Sequence, residues 1–279
     1  MKRPKIKISA FNNKLWGNFL KWASGVSVVV TTVLAFLDLC SKIKLIIFLG
    51  FLGTLVVIFV ILLIVANVMT KLTLKINNST VNILFDDIFQ QPESDLKVIA
   101  FNEYFDTQVD DVLISKSSLN GQYLLQLKQP IEELDELIAN SSRMKERIAG
   151  RNAGRKEGKT VKYKLGSIYR HNDYLLVALT HFDDGNCARL TVQEYSDCLI
   201  NMWNEIDSLY NGKTVTLPLL GSGITRFKDC VDISDQELLE IILWTYRISR
   251  VKFVYPSCLN IIISKEKKDK INLYKLKGE

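Results

Sequence analysis

Proline and glycine are scarce in this chain, 5 and 14 in 279 residues, which excludes a collagen-like or Pro/Gly-rich disordered protein. Cysteine is equally sparse. Cys40, Cys187, Cys198, Cys230 and Cys258 share no paired spacing and no CxxC step, so the chain is no disulfide-stapled scaffold and its thiols suit the reducing cytosol. Histidine is limited to His171 and His181, which leaves no zinc-ligand pattern. Apolar residues, by contrast, make up 48% of the chain, and the mean hydropathy is +0.10. At this length such a mean points to a strongly apolar block averaged with an ordinary globular one.

The block is N-terminal. Leu45 to Thr70 holds 26 residues without a charge and Trp22 to Leu37 another 16, whereas about 20 helical residues span a bilayer core. Two transmembrane spans are expected, at about 16–40 and 45–70, with Lys21 and Asp38 near the interfaces. Only Ser41-Lys42-Ile43-Lys44 lies between them, so the spans form a tight antiparallel hairpin. Asp38, the acid of this region, reads as an interfacial partner of Lys42 or Lys44, with a polar lining of an assembled pore as the alternative. Gly25, Gly50, Gly53 and Ala66 offer close helix approach. Lys2, Arg3, Lys5, Lys7 and Lys14 precede the hairpin, Lys71 and Lys75 follow it, and the tip carries Lys42 and Lys44. That bias puts both termini in the cytoplasm. A secretory signal peptide fits poorly, because no small-x-small cleavage site follows the first apolar run.

The chain thus divides into 1–75, a tail and membrane hairpin, and 76–279, a cytoplasmic domain. The first part has ten basic residues and one acid; the second has 26 basic and 29 acidic. The basic excess therefore belongs to the membrane segment, and a mildly acidic soluble domain lacks the cationic footprint of a nucleic-acid binder. Within the domain, 72–85 reads as extended and 96–101 as a buried strand. Residues 130–147 read as a charged helix, and 163–169 with 174–180 as a hairpin around His171-Asn172-Asp173. Capping boxes at Thr191-Glu194 and Ser234-Glu237 open two further helices. Residues 214–220, 251–255 and 259–264 read as strands, and the whole as an α/β fold with a mixed sheet.

Residues 143–164 carry nine basic residues, two acids and Gly150, Gly154 and Gly158. They read as a solvated flexible connection, with contact to ligand phosphates or anionic lipid as the alternative. Gly154 to Thr160 imitates a P-loop but is one residue short, and no apolar strand leads into it.

The segment with most chemistry is TVTLPLLGSGITRF, residues 214–227. A buried strand runs into Gly221-Ser222-Gly223, where two glycines let consecutive amides converge on an anion; a plain strand-to-helix turn is the other reading. The segment resembles the phosphate loop of macro domains, the ADP-ribose-binding α/β/α family. Phe85-Asp86-Asp87-Ile88 resembles that family's Gly-Asp-Ile turn, which implies that Asp87 accepts from the adenine amino group. Residues 96–102 resemble the strand presenting the ribose-side Asn102. Glu103, Tyr104, Phe105 and Asp106 depart from the family's Asn-Ala-Ala-Asn and reshape the distal-ribose end. Core packing for Tyr104 and Phe105, and structural hydrogen bonding or a solvated loop for Glu103 and Asp106, stand as alternatives. His181-Phe182-Asp183-Asp184 follows a strand end and could edge the pocket, or be only half-buried.

Two spans followed by FNEYFDT, the Ser118-Leu119-Asn120-Gly121 step, EYSDCLINMW and PLLGSGITRF resemble the transmembrane-macro effectors of type II Thoeris antiphage defence. The resemblance implies a bacterial inner-membrane protein, a homo-oligomer with a macro-like three-layer α/β/α domain and no enzyme. Its ligand would be histidine-ADP-ribose or a related ADP-ribose derivative made by a partner TIR-domain enzyme, and binding would drive assembly and membrane disruption. The implied contacts are Asp87 and Ile88 for adenine; Leu220, Gly221, Ser222, Gly223, Ile224 and Thr225 for phosphates; Asn102 to Asp106 beyond; and Arg226 for a phosphate or carboxylate, or else a surface salt bridge. A membrane-anchored ADP-ribosyl hydrolase using Asn102 and Asp106, and a reader of ADP-ribosylated proteins, are the alternatives.

Overall fold

After residue 70, apolar strands alternate with amphipathic helices, and a computed structural model describes residues 8–37, 40–183, 185–230 and 232–277. The chain forms two units, residues 1–70 with 272–279, and residues 71–271. The first contains α1 (Asn13–Ala35) and α2 (Ser41–Val68), both long and apolar enough to cross a membrane. At 1.5 Å per residue they measure about 34 and 42 Å, against a hydrocarbon core of about 30 Å. Asn12 caps α1 through its side chain, which accepts from the Lys14 and Leu15 amides at 3.0 and 3.1 Å. Ser41 to Lys44 do not join the two helices: nothing in Ser-Lys-Ile-Lys opposes a helix, and it forms the first turn of α2. Asp38 and the tail residues Lys2, Arg3, Lys5 and Lys7 lie outside the described residues.

Apolar side chains project outward along α2, including Ile46, Leu49, Val56, Val57 and Ile61. Contact within the unit runs through Ile8, Leu15, Ala66 and Tyr274, packed with Phe59, Leu62, Leu63 and Met69. Trp16, Phe19 and Phe59 pack their rings edge-on or tilted, with centroids 5.2 to 5.4 Å apart. Gly25, Gly50 and Gly53 meet nothing within 4 Å, so in this unit the close approach uses Ala66 and not the glycines.

The second unit comprises β1 (Lys71–Ile76), β2 (Ser79–Phe85), β3 (Leu96–Asn102), α3 (Leu119–Leu125), α4 (Ile131–Asn140), α5 (Ser142–Glu146), β4 (Ile148–Arg151), β5 (Val161–Tyr163), β6 (Ile168–His171), β7 (Tyr174–Phe182), β8 (Ala188–Leu190), α6 (Val192–Leu209), β9 (Val215–Pro218), β10 (Arg226–Phe227), α7 (Asp235–Ile248) and β11 (Leu259–Ile263). The large sheet runs β1-β2-β11-β9-β3-β7-β8-β10, with β6 also on β7. β2, β11, β9, β3 and β7 are parallel, while β1, β6 and β8 pair antiparallel. The expected mixed sheet is present. Ile99, Phe101, Leu176 and Ala178 pack with Tyr123, Leu134, Ile138 and Met144 of α3 to α5. α6 lies against β6 and β7 and against α7, with Trp203 Nε1 donating to Thr245 Oγ1 at 3.1 Å. Both capping boxes form.

Four expectations change. Residues 72–85 are a hairpin, because Asn77 and Asn78 at φ 51° and 63° turn the chain, the conformation that a two-residue hairpin loop requires. Lys71 to Lys75 form β1 of this hairpin. Residues 130–147 break at Ser141, whose extended backbone separates α4 from α5 while its hydroxyl accepts from the Met144 amide. Residues 163–169 divide between β5 and β6 at Gly166, whose φ of 86° and 2.6 Å approach of a Cβ to the Cys198 carbonyl demand glycine. Residues 251–255 form no strand; the Phe253 amide donates to Ser79 Oγ at 2.8 Å instead of to a ladder carbonyl.

Candidate functional site

In an open parallel sheet the crevice lies outside the carboxyl ends of strands whose connections leave in opposite directions. Here the chain leaving β3 crosses to β7 on one side, and the chain leaving its neighbour β9 crosses to β11 on the other. A cavity of about 740 Å³ opens at that point, within the range of roughly 300–1,000 Å³ for small-molecule sites. Its walls are Asp86 to Ile88 after β2, Ala100 to Asn102 at the end of β3, the stretch Leu113 to Gln122, Leu179, Thr180 and Phe182 of β7, Pro218 to Thr225 after β9, and Ile262 to Lys267 after β11.

The 219–225 turn is built around Gly221. Its φ is 77°, and a Cβ there would lie 3.3 Å from Tyr195 Cε2; Tyr195 is fully buried and donates its hydroxyl to the Leu220 carbonyl at 2.8 Å. Ser222 closes the turn, its hydroxyl donating to the Leu219 carbonyl at 2.6 Å. Among the described residues, the amides of Gly221, Gly223, Ile224 and Thr225 have no hydrogen-bond partner. Such a run of unpaired amides beside glycine is free to donate to an anion. Lys267 Nζ reaches the same turn, donating to the Ser222 carbonyl and, at 2.9 Å, to Asp235 Oδ1.

Across the cavity, exposed Asp87 accepts from the Phe89 amide through Oδ1 at 3.0 Å. Asp86 is held below the ordinary carboxylate range by hydrogen bonds from Lys265 and Gln91. Asn102 reaches the wall, but its side chain secures its own loop. Oδ1 accepts from the Tyr104 and Asp106 amides at 3.0 and 3.3 Å, and Nδ2 donates to Asp106 Oδ2 at 2.9 Å.

Thus Asp87, Ile88, Asn102 and Leu220 to Thr225 come together, whereas Glu103, Tyr104, Phe105, Asp106 and Arg226 do not line the cavity. The reason is packing. Phe105, at φ 53°, inserts between Phe101 and Tyr163 at ring distances of 5.7 and 5.3 Å. Tyr104 lies beneath the Arg155 guanidinium at 3.9 Å, and Asp106 is bound by Arg155. The 143–164 segment is largely solvated as expected, but it is not a plain flexible connection: part of it forms the β4–β5 hairpin and it delivers Arg155 to a buried carboxylate. Arg226 is exposed on β10. Of the His181 to Asp184 segment, Phe182 lines the cavity, His181 faces Glu103 and Glu194, and Asp184 lies outside the described residues.

Glu103 supplies a pH handle. Burial pushes its carboxyl up, but the His181 hydrogen bond and the Lys162 charge together hold it below its ordinary 4.5. A depressed carboxyl contributes stability that is complete above the unfolded value and lost as pH falls through the folded one. The Tm advantage of the wild type over Glu103→Gln should therefore shrink as the pH falls below about 5, which a melt series in acid reads directly.

The wall from Leu113 to Gln122 and the lysines at 265 and 267 were not anticipated. One signal was present in the Ser-Leu-Asn-Gly step: Gly121 is obligatory, since a Cβ would sit 2.2 Å from the Ser115 carbonyl oxygen. That close approach seats Asn120, 9% exposed, in the wall with its Oδ1 unpartnered among the described residues.

The family described as Thoeris protein ThsA, macro domain, matches residues 81–264. The chain is 45% identical over 266 residues, 93% of its own length and 89% of the relative's, to Thoeris protein ThsA of Bacillus amyloliquefaciens (strain Y2). Among solved structures, a point mutant of the Oceanobacillus iheyensis macrodomain has a TM-score of 0.49 at 14% identity, covering 75% of this chain and 97% of that one. The same macrodomain with ADP has a TM-score of 0.46 at 12% identity, covering 75% and 95%.

Proposed function

The chain belongs to the Thoeris ThsA family, and from that premise we propose that its cavity binds an ADP-ribose-derived signal without turning it over. The observation that carries this reading is the unpaired amide run at 221 and 223–225 facing a cavity with Asp87 on its rim. A diphosphate takes the amides, and an adenine amino group donates to Asp87. The signal is histidine-ADP-ribose or a close relative from a partner TIR enzyme. Binding drives self-assembly and disruption of the bacterial inner membrane, where α1 and α2 sit as two spans with both termini in the cytoplasm.

The hydrolase alternative assigned water positioning to Asn102 and Asp106. Asp106 does not line the cavity, and its carboxylate already accepts four hydrogen bonds, from Asn102, the Lys159 amide and two Arg155 nitrogens, which favours sensing over turnover. Titration of the full chain in detergent with ADP-ribose and with histidine-ADP-ribose, with chromatography of the recovered ligand, tests the proposal. Tighter binding of the intact adduct is expected; released ADP-ribose would promote the hydrolase.

Asn120 gives a stability prediction. A buried acceptor without a donor costs about 1–3 kcal/mol, and Asn120 Oδ1 is buried and unpartnered among the described residues, so Asn120→Leu should raise Tm. A thermal melt of the variant reads this; an unchanged or lowered Tm means that the oxygen is satisfied in solution.

A further inference from the structure

The chain passes between its two units at Thr70–Lys71 and again at Ile271–Asn272. At the first passage Lys71 pairs with Leu84, two positions before Asp86 of the cavity wall, but no residue of β1 itself lines the cavity. The second begins in its wall. Ser264 to Lys267 line the cavity, and Lys267 holds the Ser222 carbonyl of the glycine turn and Asp235, the first residue of α7. Consecutive turn bonds then continue the segment: Lys267 to Ser264 at 2.9 Å, Lys268 to Lys265 at 3.2 Å and Lys270 to Lys267 at 2.9 Å, amide to carbonyl in each case.

Its far end is fastened to the membrane helices. Asn272 accepts from the Tyr274 amide at 3.0 Å and caps the turn Leu273–Leu276. Tyr274, 4% exposed, packs with Leu15 of α1 and Ala66 of α2. Its hydroxyl accepts from Asn18 Nδ2 at 2.6 Å, and the Lys275 carbonyl accepts from Lys14 Nζ at 2.7 Å.

We infer that residues 264–276 are a strut through which occupancy of the cavity changes the packing of α1 against α2. The inference rests on the ligand reading above. An anion held by the 221–225 amides attracts the Lys267 ammonium, which the Ser222 carbonyl and Asp235 hold in its absence. In this reading a displacement of Lys267 passes along 267–270, tied by these turn bonds, and then through the chain at 271–272 to Tyr274. The coupling is reciprocal, so the clasp on α1 and α2 sets the affinity of the cavity by the same factor.

Hydrogen exchange of the full chain in lipid nanodiscs, with ADP-ribose as probe, tests this. Saturating ADP-ribose should slow exchange at 219–225 and change it about tenfold at 272–276, the scale of ordinary allosteric coupling. Tyr274→Phe, which keeps the ring and loses the Asn18 bond, and a chain ending at Ile271 should both shift ADP-ribose affinity. Wild-type exchange of the 96–102 and 215–218 strands in these variants certifies their fold. Slowing at 219–225 without a change at 272–276, or unaltered affinity in both variants, overturns the strut and leaves the ligand reading standing. No slowing at 219–225 removes both.

Discussion

Asp106→Ala and Arg155→Met should each lower the Tm of the purified chain by about 10 °C. The two side chains are 1% and 7% exposed, and the pairing is bidentate, with Nη1 to Oδ1 at 3.0 Å and Nη2 to Oδ2 at 2.6 Å. The Lys159 amide and Asn102 Nδ2 complete the carboxylate at 2.8 and 2.9 Å. Removing one partner strands the other as a buried charge, at a cost of about 3–5 kcal/mol. In a domain of this size each kcal/mol is about 2–4 °C. Joint replacement by Leu and Met leaves no orphan charge and should recover much of the loss, since apolar replacement of a buried pair is often neutral. A thermal double-mutant cycle measures that recovery. If each single variant melts within about 0.5 kcal/mol of wild type, the pair is hydrated and the packed 102–107 loop has been misread. Gly158→Ala offers an independent check. Its φ is 80° and a Cβ would lie 2.6 Å from Asp106 Oδ1, so it should disturb the same pair without removing a charge.

The Arg155 contact also marks the limit of what the amino-acid order discloses. Local signals were legible: the capping boxes at Thr191 and Ser234, the apolar runs of α1 and α2, and the glycine turn after β9. Each depends on residues within a few positions of one another, and each has a chemical signature in those residues. Arg155 reaches Asp106 across 49 positions, and no composition rule distinguishes an arginine that will be buried from eight neighbouring cations that are not. Phe105 fails for a related reason. An aromatic side chain beside Asn102 looks equally able to face a ligand or the core, and the positive φ that turns it inward is set by Asn102 bonding two later amides. The Leu113 to Gln122 wall was hidden because its defining event is a backbone approach at Gly121, visible as geometry but not as side-chain chemistry. The Asn77-Asn78 turn was legible in principle, since asparagine tolerates the left-handed region, yet the unbroken β-propensity around it masked the reversal.

The two glycines of the turn should separate folding from binding. Gly221→Val places a β-branched side chain at φ 77°, where left-handed backbone costs about 1–2 kcal/mol, and pushes against Tyr195 and Phe227, 3.3 and 3.5 Å from the Cβ position. It should lower both Tm and ADP-ribose affinity. Gly223 has no positive φ and meets nothing within 4 Å. Gly223→Trp should therefore melt within about 0.5 kcal/mol of wild type, while its ring covers the neighbouring amides in the cavity wall. Hydrogen bonds from amides to a charged group are worth about 1.5–3 kcal/mol each, so losing two weakens Kd by about 100-fold or more. Calorimetry on Gly223→Trp reads this without the ambiguity of an unfolded variant. Wild-type affinity in that variant would mean that phosphates do not use the 221–225 amides, and the cavity would then need an anion site among Lys265, Lys267 and the 115–120 backbone. A 100-fold loss with an unchanged melt would place the diphosphate on the turn and leave Tyr195, which fixes Gly221 from behind, as the side chain on which the geometry of that cradle depends.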